Sequence, residues 1–146
     1  MDVRSETMSW RRLGRVYVAV HGDRSPSDAE WAAYLAGVDR SIPLETQRVL
    51  VVSAGGAPSS AQRKRMVDAM DGAQVPVAIV TTSLLTRGVG VAIRWFNPCV
   101  EVFGPSQLQG ALDHLGLTDW ERAEVPPLLS RLEAEVGISV VGLRVA

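Results

Sequence analysis

"RVLVVSAGGAPSSAQRKR", residues 48–65, is the stretch that decides the fold. An apolar, largely β-branched run, Val49-Leu50-Val51-Val52, stops at Ser53. Two glycines, a proline and two serines follow, then the cations Arg63, Lys64 and Arg65. The run has the length and composition of a strand. Ser59-x-x-Gln62 matches the capping box that opens a helix, in which the hydroxyl takes a first-turn amide and the residue-62 side chain reaches back to the cap. Strand, glycine turn and capped helix in that order form half of a crossover unit, which joins parallel strands.

The same signals recur on both sides. Val16–Val20, Val75–Val80 and Val100–Phe103 read as further strands, and Met8–Leu13 followed by Gly14 as a short first strand and turn. Trp31, Tyr34, Leu35 and Val38 recur at helical spacing, as do Leu108, Ala111, Leu112 and Leu115. Ser27-x-x-Glu30, Ser106-x-x-Gln109 and Thr118-x-x-Glu121 repeat the capping box, and Gly37 and Gly116 lie where helices end. Residues 84–96, "LLTRGVGVAIRWF", form the most apolar helical pattern, with a polar stripe of Thr86, Arg87, Gly90 and Arg94. Thr118 opens a short helix that Pro126-Pro127 interrupts. A second helix starting at Pro127 and ending at Gly137 is expected, then a last strand over Ile138–Val145. The fold class is α/β: a mixed, mostly parallel sheet with flanking helices and a C-terminal helical and strand extension. One domain spans 8–117, and the extension spans 118–146.

The strands do not alternate apolar and polar residues, so both faces of the sheet should be covered. The apolar residues Leu128, Leu132 and Val136 recur every fourth position in the extension, making a stripe that needs a partner, either this chain's own sheet or a second copy's. A homodimer is the expectation, because a final apolar strand offers an edge for pairing.

Composition narrows the function. At 146 residues, 47% hydrophobic and 21% charged, the chain suits one folded domain with a core. A net charge of −1 gives no general attraction to nucleic acid or anionic membrane. No apolar run approaches the ~20 residues that span a bilayer, so no stable membrane insertion is expected. Met1–Arg12 is polar, without a signal segment, and a cytoplasmic setting is expected. Cys99 is the single cysteine, so there is no disulfide pair and no Cys/His metal spacing, and no cofactor is implied.

The loop after Val52 allows two readings. In one, glycines make the turn and Ser59 caps the helix. In the other, an anion at Ser59 or Ser60 balances Arg63, Lys64 and Arg65, which the helix dipole otherwise disfavours at its N-terminal end. The spacing matches neither a P-loop nor a dinucleotide fingerprint. A small hydrolase would need His21, Asp23 and a loop serine together, but no Gly-x-Ser-x-Gly elbow is present. His21 reads as a strand-end residue bonded to backbone, Cys99 as a buried, inert thiol and His114 as a surface residue.

The element order resembles the STAS domain, the fold of bacterial anti-sigma factor antagonists, and its SpoIIAA-like relatives. The residues that carry the resemblance are "LGRVYVAVHGD" (13–23), "RVLVVSAGGAPSS" (48–60), "VPVAIVTTS" (75–83) and "VEVFGPSQLQGALDHL" (100–115). It covers residues 8–117. In that family the loop before the second long helix carries a regulatory serine in an Asp-Ser-Ser-Gly type motif. Here the matching stretch is Pro58-Ser59-Ser60-Ala61, with the serine pair kept and the flanking acid and glycine replaced. The resemblance implies a non-catalytic regulatory module that acts by protein–protein contact and is gated at Ser59 or Ser60. The cations 63–65 would bind an anion or a partner such as a kinase or anti-sigma-like regulator. Two alternatives remain, a lipid or small apolar ligand-binding domain and the small hydrolase.

Overall fold

The computed structural model describes residues 7–83, 86–88, 91 and 97–141. Five strands form one sheet: β1 (Met8–Leu13), β2 (Val16–His21), β3 (Arg48–Ser53), β4 (Val77–Thr81) and β5 (Val100–Phe103), in spatial order β1-β2-β3-β4-β5. β1 pairs antiparallel with β2 through the tight turn at Gly14, where φ is +61° and only glycine is unstrained. All later pairs are parallel, with Val18 beside Leu50 and Leu50 beside Ala78. The α-helices with fully described bounds are α1 (Asp28–Ala36), α2 (Ser60–Ala69), α3 (Leu108–Leu115) and α4 (Asp119–Val136).

Both faces of the sheet are covered, as the lack of alternation in the strands requires. On one face Val16, Val18, Val20, Leu50, Val52, Ala78 and Val80 pack against α3 and α4 through Leu112, Leu115, Val125, Leu129 and Leu132. On the other, α1 and α2 lie over Ala19 and its neighbours, with Trp31 and Tyr34 buried beside Met8. Parallel strands in sequential order with right-handed crossovers place successive connecting helices on one face.

The caps follow the sequence at Ser27, Ser59 and Thr118, each with both halves of its box formed. Ser106 does not cap. α3 begins after Gln107, whose side chain instead accepts from the Gly104 amide. The extension also differs from the expectation. α4 runs unbroken through Pro126 and Pro127. The prolines remove two amide donors, but Val125 before them and Leu128, Leu129 and Leu132 after them face the same core, and a continuous helix keeps all of these residues buried. Residues 138–141 form no strand. The Val140 and Val141 amides instead donate to Glu133 Oε2, and the rest of the expected strand lies outside the described residues. The Leu128–Leu132 stripe is covered by this chain's own sheet. Of the apolar stretch 84–96, Thr86, Arg87, Gly88 and Val91 are helical, and the remainder, including Gly90 and Arg94, lies outside the described residues.

Candidate functional site

The face under α1 and α2 is not filled. Between it and those helices lies a cavity of about 130 Å³. The pleat sends alternate residues to this side: Tyr17 and His21 from β2, Val49, Val51 and Ser53 from β3, Val77 and Ile79 from β4. α1 contributes Trp31, Tyr34 and Leu35, and α2 contributes Met66 and Val67. No Asp, Glu, Lys or Arg lines it among the described residues. Small residues bound it where loops approach closely. At Gly56 an added Cβ would lie 2.2 Å from the Arg24 carbonyl oxygen and 2.7 Å from that of Gly22.

His21 stands where β2 ends, at the C-terminal edge of the parallel strands, where open α/β sheets place ligands. It is 3% exposed, 6.3 Å centroid to centroid from Trp31, and its Nδ1 has no hydrogen-bond partner among the described residues. That corrects the expectation of a histidine bonded to backbone. Burial lowers its pKa from 6.5 to about 4, against a weaker opposing pull from Glu30, so the ring is neutral at neutral pH. The neighbouring strand ends are satisfied. Ser53 Oγ donates to the Gly56 carbonyl and accepts from the Gly55 amide, and Thr81 Oγ1 donates to the Ser53 carbonyl.

The loop serines lie elsewhere. Ser59 Oγ accepts from the Gln62 amide as a cap, and Ser60 is exposed, its Oγ 3.0 Å from Arg63 Nη2. Arg63 also donates to the Pro58 carbonyl, Arg65 lies 3.7 Å from Asp28, and Lys64 is exposed. Arg63 and Arg65 therefore have local protein partners at the positive end of α2. Asp23 is exposed, and no hydrogen bond joins His21 Nδ1 to Asp23, Ser59 or Ser60.

Cys99 is half-buried rather than buried, in the turn before β5. His114 is half-buried rather than superficial, its Nε2 2.7 Å from the Cys99 carbonyl oxygen. No group of His, Cys, Asp and Glu that could hold a metal ion occurs among the described residues. No described helix is long and apolar enough to cross a membrane.

Trp31 and Tyr34 are legible as a helical stripe, and Val49 and Val51 as strand, but nothing in their spacing says that the space between them is hollow. The one available signal was His21, a histidine ending an otherwise apolar strand. Comparison with protein-family models, curated proteins and solved structures finds no match for this chain.

Proposed function

We propose that this chain is a non-catalytic binding module of STAS-like architecture that holds a small, largely apolar molecule between its sheet and α1–α2. The observation that carries this reading is the cavity of about 130 Å³, walled mostly by aliphatic and aromatic side chains. Ligand sites are usually preformed, mostly apolar hollows with a few placed polar groups. The STAS-like part of the reading is supported by the strand order and by the serine loop between β3 and α2. The absence of a bond between His21 Nδ1 and a loop serine favours binding over hydrolysis. The test is thermal melting with rising toluene concentration. A ligand that binds only the folded chain raises the melting temperature with concentration. A melting temperature that stays flat or falls up to the solubility limit contradicts the reading.

A second reading, a regulatory contact with a protein partner gated at Ser60, is favoured by the exposure of that hydroxyl beside Arg63. Phosphorylation in a cell extract, mapped to Ser60 and lost in Ser60→Ala, is its expected outcome. Label at other positions only, or none, counts against it.

A further inference from the structure

On the reading that the cavity is a binding site, its ligand needs a way in, and the two ends of the α1–α2 cover are closed very differently. At the C-terminal edge of the parallel strands the cover is pinned by buried bonds between elements. Trp31 Nε1 donates to the Gln62 carbonyl and Gln62 Nε2 to the Pro26 carbonyl, each at 2.8 Å. The Gly56 amide donates to the Gly22 carbonyl at 2.7 Å, and the two loops leave no room for a Cβ between them. Opening this end would strand buried donors and acceptors without partners, which is costly.

The opposite end is closed by the turn that follows α2. Met70, Gly72 and Ala73 line the cavity, and the same three residues line a surface groove of about 480 Å³ whose other side is Arg40 and residues 42–45. Gly72 has no side chain, so at this position a single backbone separates the cavity from the groove. It takes φ +71°, and a Cβ there would meet nothing within 4 Å, so no neighbour backs the wall on that side. The backbone bonds of the turn are local: the Asp71 amide donates to Asp68, Gly72 to Val67 and Ala73 to Met70. Among the described residues, its polar tie to the segment between α1 and β3 is Arg40. Arg40 Nη1 lies 2.7 Å from Asp71 Oδ2, and Nη2 donates to the Ala69 carbonyl. The Arg40 and Asp71 side chains are 53% and 70% exposed. An exposed ion pair holds weakly, and segments without buried ties open locally at low free energy.

We propose that the turn Met70–Ala73 is the entry port of the cavity and that the Arg40–Asp71 pair is its latch. The probe is toluene. Its association and dissociation rates on the full chain are measured by exchange NMR at the methyls of Val51 and Ile79, which line the cavity. Arg40→Gln removes the latch cation and Asp71→Asn the latch anion, and asparagine tolerates the left-handed backbone that Asp71 holds at φ +50°. The expected result for Arg40→Gln is that both rates rise alike, by about fivefold, the upper range for an exposed pair. Affinity stays as in the wild type, because a latch governs passage and re-forms once the ligand is inside. Asp71→Asn moves both rates in the same direction. Arg122→Gln, which breaks the pair with Asp113 on the other face of the sheet, leaves them unchanged. Wild-type rates in both latch variants, or an equal rise in Arg122→Gln, overturn the port. So does a fall in affinity carried by dissociation alone, which would place Arg40 in holding the ligand rather than admitting it. In each of these cases toluene still binds and the binding-module reading stands. Failure of toluene to bind the wild type defeats that reading and the port together.

Discussion

At the scale of single residues, His21 ties the cavity to stability. Its folded pKa is about 4 against 6.5 in an open chain, because burial disfavours the charged ring. Between those values the unfolded chain holds the extra proton. The stability that neutral His21 contributes is complete above pH 6.5, falls as the pH drops toward 4, and levels off below that. The full loss is about 3 kcal/mol. Glu121, held low first by Arg15, and Glu30, where bonds from Ser27 and Thr7 outweigh burial, act in a lower window, below their ordinary value of 4.5. Denaturant unfolding between pH 7 and 5 therefore isolates the histidine. His21→Leu should flatten the slope there, and an equal slope in both proteins contradicts the assignment. Ser59 is a simpler case. Its hydroxyl caps α2, so Ser59→Ala should cost ~1 kcal/mol. An unchanged unfolding midpoint would show that the cap carries no weight.

At the scale of elements, the loop after β3 is fixed by close backbone approach. The Gly56 amide donates to the Gly22 carbonyl at 2.7 Å, and a Cβ at that position would meet backbone oxygens of the neighbouring loop, which have no flexible end to move. Gly56→Ala should destabilise by about 1–3 kcal/mol, as overpacking does, and a neutral effect in equilibrium unfolding would contradict this geometry. Strands and caps were legible in the sequence because their determinants are local. Val49–Val52 between a polar turn and Ser59-x-x-Gln62 needs no distant partner to be read. α4 was not legible across Pro126-Pro127, because a local rule was overridden by burial of Val125, Leu128, Leu129 and Leu132 on one side of the helix. Ser106 misled because Gln107, one residue later, competes by bonding the Gly104 amide. The cavity was illegible for a different reason. Periodicity reports which side chains turn inward, while hollowness depends on how the volumes of Trp31, Tyr34, Met66 and the sheet side chains fit together.

At the scale of the whole molecule, the two faces of the sheet do different work. The face under α3 and α4 is solid core, with Leu112, Leu115, Leu129 and Leu132 at most 1% exposed. α4 is also tied across β1, with Arg11 3.0 Å from Glu135 and Ser9 bonded to the same carboxylate, and Arg15 2.9 Å from Glu121. A chain ending at Leu117 would uncover that face of β2, so it should aggregate or lose much of its stability. A soluble chain with the full-length melting temperature would contradict this role for the extension. The opposite face is left partly hollow, and the proposed function rests on that asymmetry. The most direct measurement is methyl NMR of the full chain during titration with toluene. The binding-module account predicts saturable shifts at the methyls of Val51, Ile79 and Met66, which line the cavity, while those of Leu129 and Leu132 on the solid face stay fixed. Shifts spread equally over both faces, or none up to the solubility limit, would contradict it.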